Sequence, residues 1–182
     1  MKRILLPGIL AVTLACGTGM VAFAAEAEPK AAAEAGAAAD GKFMESAAQL
    51  GMTEIAASQL AEDRTKNKEV KYFAEMMIKD HKDVAKNLKA ITDKMGVTLP
   101  AEMNAKQKAS IDKLKAVGEP DFDRMYASMM VADHKEAVGL FEGFAKTATH
   151  TDLKAFANKT LPGLRAHLKH AEDLAKALGV KG

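Results

Sequence analysis

Two eight-residue segments are near copies of each other: Met76-Met77-Ile78-Lys79-Asp80-His81-Lys82-Asp83 and Met129-Met130-Val131-Ala132-Asp133-His134-Lys135-Glu136. In each, the histidine falls on the apolar stripe of a helix-period pattern. A polar ring there costs free energy unless it is paired or bound. Two further stripes each carry one polar residue, Glu54 and His167. Three imidazoles and one carboxylate make a suitable ligand set for Zn, Fe or Cu at four-coordination. Met77 and Met130 lie one turn before His81 and His134 on the same faces, and thioether sulfur would favour copper(I). Asp80 and Asp133 flank the histidines. They can accept from imidazole N–H groups outside the ligand shell, or simply be charged residues at the edge of the stripe.

The elements that must hold these residues are helices. No stretch alternates at the period of a strand, and everything from Gly41 onward reads at helical spacing. The first long helix is expected over about 41–65, with the stripe Phe43, Ala47, Leu50, Glu54, Ala57 and Ala61. The second is expected over about 68–95, through Val70, Phe73, Met77, His81, Val84, Leu88, Ile91 and Met95, and is stopped by Gly96. A connector follows, broken by Pro100 and by Gly118-Glu119-Pro120, with a short extra helix over Ala105 to Val117. The third long helix begins near Asp121, with Ala127, Met130, His134, Ala137, Phe141, Phe144 and Ala148 on its stripe. The fourth runs to about Leu178, with Thr151 as its expected N-cap. Its stripe is Leu153, Ala157, Thr160, Leu164, His167, Ala171, Leu174 and Leu178, and Pro162 should kink it. Four amphipathic helices of this length define an all-α fold, a ferritin-like four-helix bundle over residues 41–182.

Heights can be compared along the hairpins. Glu54 lies 13 residues before the turn near residue 67, and His81 lies 14 after it. His134 lies 16 before the turn near residue 150, and His167 lies 17 after it. Each pair therefore matches to within about one helical rise, ~1.5 Å. Antiparallel packing of the second and third long helices would bring the two hairpins level. His170, three residues past His167, either shares that face or points to water, and His150 sits in a turn.

The amino terminus carries a different signal. Lys2 and Arg3 are followed by an uncharged apolar run from Ile4 to Ala15 and by Ala22-Phe23-Ala24. This is the pattern of a secretory signal over residues 1–24, too short for a membrane span. It points to an exported, periplasmic protein. The alternative is a lipoprotein anchored through Cys16, although Thr13 stands where a lipobox prefers Leu. Cys16 is the only cysteine, so a chain cleaved after Ala24 has neither a disulfide nor a thiolate ligand. Residues 25–40, AEAEPKAAAEAGAAAD, hold too few large apolar groups for a core and read as an Ala-rich tether, helical in part.

Without Lys2 and Arg3 the chain has 24 basic and 24 acidic residues, so nucleic acid is not an expected partner. Partners remain unknown, with association at the cell envelope one option. Ser46, Ser58, Ser110 and Ser128 lie in helical patterns without a nucleophile elbow, and no Gly-rich phosphate loop occurs. Nothing in these patterns demands an enzyme. Three readings of the polar level stay open. One is a transition-metal site used in metal handling or envelope stress. The second is a metal-free imidazole–carboxylate network in a structural or interaction protein of the envelope. The third is a small oxidoreductase with an open metal position. Losing a partner from a self-contained network costs ~3 kcal/mol or more, whereas a structural metal can contribute ~10 kcal/mol.

The strings LGMTEIAASQLA, FAEMMIKDHKDVAKNL, FDRMYASMMVADHKEAVGLF and TLPGLRAHLKHAEDLA resemble the exported bacterial family catalogued as domain of unknown function 4142. The resemblance spans roughly residues 41–178 and implies a ferritin-like bundle and export, with no established reaction. Di-iron bundles use four Glu and two Glu-x-x-His pairs. This chain has no Glu-x-x-His, carries His167-x-x-His170 instead, and has only Glu54 as a stripe carboxylate. A ferroxidase mechanism is therefore not expected.

Overall fold

A computed structural model describes residues 27–119 and 121–180; the expected signal sequence, with Cys16, lies outside them. Among the described residues there are five helices: α1 Ala27–Arg64, α2 Lys68–Met95, α3 Ala105–Ala116, α4 Phe122–Thr147 and α5 Thr151–Ala177. The four long ones form the bundle, and α3 is the short helix of the connector. None of the helices is long and apolar enough to cross a membrane.

Local chemistry sets most helix ends. Before α2, the Asn67 side chain accepts from the backbone N–H groups of Glu69 and Val70. Gly96 then closes the helix at φ 67°, a left-handed conformation that glycine adopts without a Cβ penalty. Asn104 and Gln107 form a reciprocal capping box before α3. The start of α5 departs from the expectation of a Thr151 cap. His150 takes the cap position without a side-chain bond. The acceptor is instead Asp40 of α1, which receives the Thr149 hydroxyl at 2.7 Å and the His150 N–H at 3.1 Å. Unsatisfied N–H groups at a helix start need an acceptor from any source, and here the fold delivers one from another helix.

The same contact bears on the first boundary. α1 begins at Ala27 rather than near residue 41, continuing through the Ala-rich run. Alanine has the highest helix propensity, so this run extends the helix although its side chains from Lys30 onward are mostly exposed. Gly36 permits the close approach to the α4–α5 turn, because a Cβ there would lie 2.5 Å from Thr149 Cγ2.

Two apolar clusters fill the bundle. One contains Phe43, Leu50, Leu88, Phe141, Phe144, Leu153 and Phe156, with the Phe43 and Phe144 rings stacked at 3.7 Å. The other contains Ala57, Val70, Phe73, Met77, Tyr126, Met130 and Leu174. On α5, Phe156 and Leu161 are buried where the sequence stripe had Thr160, which is only half-buried.

The clusters also fix helix direction. α2 runs from the Phe73 cluster to the Leu88 cluster, and α4 runs from Tyr126 in the first of these to Phe144 in the second. The two helices are therefore parallel, which corrects the expected antiparallel pairing. The crossover 96–121 travels back along the bundle, so that α2 and α4 start at the same end. Ile111 and Leu114 bury α3 in the Phe73 cluster. Arg64 holds the crossover there by donating to the Leu114 and Val117 carbonyls, with its guanidinium 4.1 Å above the Phe122 ring. α1 packs against α2 and α4, and α5 against α2 and α4. Every neighbouring pair is antiparallel and the diagonal pairs are parallel.

Candidate metal centre

Between the two apolar clusters, each long helix contributes one buried ionisable residue: Glu54, His81, His134 and His167, at 2%, 2%, 0% and 8% exposure. The parallel course of α2 and α4 levels their histidines, because each sits about a dozen residues past its helix start. The ring centroids of His81, His134 and His167 lie 5.4–5.5 Å apart in all three pairs. One ring nitrogen can be taken from each so that all three lie within 4.8 Å of one another.

Each ring has one nitrogen committed and one free. His81 Nδ1 donates to Glu54 Oε2 at 3.0 Å. His134 Nδ1 donates to the Met130 carbonyl at 2.8 Å. His167 Nε2 donates to Asp80 Oδ2 at 3.1 Å. A carbonyl or a carboxylate accepts only, so in each case the facing nitrogen carries the hydrogen. The nitrogens left buried and unpaired are His81 Nε2, His134 Nε2 and His167 Nδ1. In the neutral tautomers these carry lone pairs. An acceptor behind each ring and a bare lone pair in front is the arrangement of metal-ligating histidine. A self-contained hydrogen-bond network would not leave three such nitrogens orphaned.

The electrostatics separate the three rings. Burial alone would push the Glu54 carboxyl up, but the His81 charge and hydrogen bond, helped by His134 and His167, hold it below the usual carboxylate range. Burial would likewise depress His81, yet Glu54 and Asp80 raise it above the ordinary imidazole value. His134 is lowered, chiefly by burial, which outweighs Glu54. His167 is lowered by burial and by the His81 charge, against the Asp80 hydrogen bond. An incoming cation would thus meet two imidazoles that favour the neutral form and one that gives up a proton.

Other expected residues fall in different places. Glu54 has Oε2 engaged by His81, while Oε1 lies 3.5 Å from His134 Nδ1 without a hydrogen bond. Asp80 serves His167 across the α2/α5 seam, while Asp133 reaches no imidazole and leaves Oδ2 unpaired. Met77 and Met130 are wholly buried in the Phe73 cluster, and Met130 contributes its backbone carbonyl to the centre. His170 is half-buried, with its ring 4.8 Å from Phe73. His150 is half-buried too, with its backbone N–H on Asp40.

A cavity of about 560 Å³ between α2 and α5 reaches His81 and His167 past Asp80, Asp83, Asp152 and Lys159. One buried pair was not foreseen from sequence: the Ser58 and Tyr126 hydroxyls share a hydrogen bond of 2.9 Å between α1 and α4. Tyr126 lies two turns before His134, a spacing that could have marked it as facing the same interior.

The chain belongs to the family described as domain of unknown function 4142, whose model matches residues 25–174. No curated protein matches it in sequence. Solved structures share the fold at low identity. A DUF305 fragment from Deinococcus radiodurans is 12% identical with a TM-score of 0.69, over 76% of this chain and 96% of that one. CopM in a Cu(II)-bound form is 18% identical with a TM-score of 0.66, over 76% and 97%. CopM in an Ag-bound form is 19% identical with a TM-score of 0.63, over 76% and 96%.

Proposed function

We propose that the protein is an exported metal-handling bundle that holds one transition-metal ion through His81, His134 and His167. Glu54, expected from sequence to be a fourth ligand, takes the part of the acceptor that orients His81. Asp80 and the Met130 carbonyl do the same for His167 and His134. The observation that carries this reading is the three buried imidazole nitrogens without partners, each backed by an oxygen acceptor on the opposite side of its ring.

Three imidazoles suit Cu or Zn better than a hard cation. Fe is less favoured, since the Glu54 carboxylate at this level already serves His81. The likeness to CopM in its Cu(II)- and Ag-bound forms makes copper the first ion to test. Export rests on the basic start, apolar run and Ala22-Phe23-Ala24 of the amino terminus. Metal handling or protection against metal stress in the envelope follows from a buried binding site in an exported chain.

The test is the metal content of the untagged mature protein, purified without chelator and measured by plasma mass spectrometry. Close to one equivalent of a single metal is expected, lost in His81→Ala and in His134→Ala. Absence of metal after incubation with Cu, Zn and Fe would overturn the reading. A second reading, a small oxidoreductase, draws on the same count of three imidazoles, since three protein ligands leave a position open for a reactant. Turnover with an added oxidant, lost in both variants, is what it requires.

A further inference from the structure

The three imidazoles are buried, so an ion that reaches them must pass between helices. Two cavities touch the centre. The one between α2 and α5, of about 560 Å³, has both His81 and His167 in its walls. The other, of about 480 Å³ between α1 and α2, touches Glu54 and His81 and so meets only one imidazole.

The walls differ in chemistry. The α1/α2 cavity is lined mainly by apolar side chains, among them Leu50, Ile55, Leu99 and Phe141. Besides Glu54 and His81, its ionisable residues are Lys89 and Asp93, which bind each other at 2.7 Å. A cation there would exchange hydration water for hydrocarbon, at high cost. The α2/α5 cavity instead carries the oxygen groups of Asp80, Asp83, Asn87, Asp152 and Thr160. Lys94 and Lys159 line it too. Asp80 and Asp83 lie within two residues of His81, whereas Lys159 lies 8 residues before His167 and Lys94 13 after His81. Negative charge is thus gathered at the end where the rings are.

His167 joins this cavity to the centre. It is the most exposed of the three rings, and its Nε2 donates to Asp80 Oδ2 at 3.1 Å. The Asp80 side chain is 39% exposed, so one carboxylate is open to solvent and holds a ligand ring at the same time.

We propose that the α2/α5 seam is the route by which a metal ion reaches the centre, with Asp83 and Asp80 drawing the cation toward His167. The route rests on the metal reading above and adds a path to that site. Asp80 acts twice, first on the incoming ion and then on the orientation of the ring.

Each cavity has one glycine in its wall, Gly163 on α5 and Gly51 on α1. A Cβ added at either meets no neighbouring atom within 4 Å, and neither has a positive φ. Leucine at either position therefore fills its cavity without displacing backbone, and it is the better helix former. In the test, the metal-free mature protein is mixed rapidly with Cu(II), Zn(II) or Fe(II) in parallel runs. Chelator stops uptake at set times, bound metal is counted by plasma mass spectrometry, and release is followed into excess chelator. Gly163→Leu is expected to slow uptake and release alike, each by about tenfold or more, because a filled seam must open before an ion passes. The metal bound at saturation should stay the same and the melting temperature should not fall, since closing a path leaves both end states alone. Gly51→Leu should leave both rates as they are. Asp83→Lys should slow uptake about tenfold at low salt and less at high salt. Unchanged uptake in Gly163→Leu or in Asp83→Lys would overturn the proposal. So would slowing by Gly51→Leu in place of Gly163→Leu, or slower uptake in Gly163→Leu with release unchanged, which marks a weakened ligand set. An unaltered protein that takes up none of the three ions fails the metal reading itself, and the route falls with it.

Discussion

The two near-identical Asp-His segments end in different company. His81 donates to Glu54 on α1 at 3.0 Å, whereas His134 donates to the Met130 carbonyl of its own helix and stands 3.5 Å from the other Glu54 oxygen. Asp80 reaches His167 on α5, whereas Asp133 meets no imidazole. Burial, with the charges of Glu54 and Glu136, pushes the Asp133 carboxyl up to about 7. Both segments flank the same two helices, α1 and α5, but each of those brings only one buried ionisable residue to the level. α2 hydrogen-bonds to both, whereas α4 meets Glu54 only at 3.5 Å and hydrogen-bonds to its own backbone. The segments thus share height and face, while their partners depend on what the neighbouring helix has to offer.

The widest test of that comparison removes the rings. Despite their different partners, His81→Ala and His134→Ala should lose the metal alike, from about one equivalent to none by plasma mass spectrometry, because each takes away one of three ligands. A retained equivalent in either would restrict the centre to the other rings.

Removing the acceptors should split the segments. Glu54→Ala is expected to weaken metal binding ~10–100-fold, since second-shell partners carry that much affinity. It should also destabilise the metal-free protein by ~3 kcal/mol or more in denaturant unfolding, as the buried His81 loses its partner. The hydrogen-bond acceptor of His134 is a backbone carbonyl, which no side-chain substitution removes.

Smaller effects should separate the two aspartates. Asp80→Asn should lower metal affinity by about tenfold through His167. Asp133→Asn should leave it within about threefold, and Asp133→Ala should raise stability by ~1 kcal/mol by removing a buried oxygen without a partner. Competition titration with a chelating dye reads the first two, and urea unfolding the third. Equal effects of the two Asn variants on affinity would erase the distinction drawn between the segments.

The finest test is pH, in the Asp133→Asn background because protonation of Asp133 on descent through about 7 favours the fold and masks the rest. His134 and His167 are depressed in the fold, so their stabilisation is present above the ordinary imidazole value and fades as pH falls through it. His81 is raised, so its contribution is complete at that pH and fades only as pH rises through its folded value. Melting temperature of the metal-free protein should therefore fall between pH 7.5 and 5.5. His134→Leu should flatten that fall and His81→Leu should not.

Much of this was legible in the residues. The stripes from Phe43 to Ala61 and from Val70 to Leu88 named most of the buried apolar residues of α1 and α2, because a 3.6-residue period marks the buried face without any tertiary knowledge. Hairpin arithmetic placed Glu54 beside His81 and His134 level with His167, because short turns leave little freedom in register. The Asp40 cap was not legible, since it joins residues 109 and 110 positions apart. The Ser58–Tyr126 bond was hidden for the same reason: it arises between α1 and α4, whose side-by-side placement no local pattern states.

The sequence by itself determined that four helices form and that each turns one ionisable residue inward at mid-length, since propensity and period act within a single helix. Only the tertiary structure decided that α2 and α4 run parallel, because a crossover of this length can equally return along the bundle or cover one end. It alone decided which oxygen stands behind each imidazole. Those acceptors lie on neighbouring helices or on the backbone, and that pairing leaves one nitrogen of each imidazole without a partner.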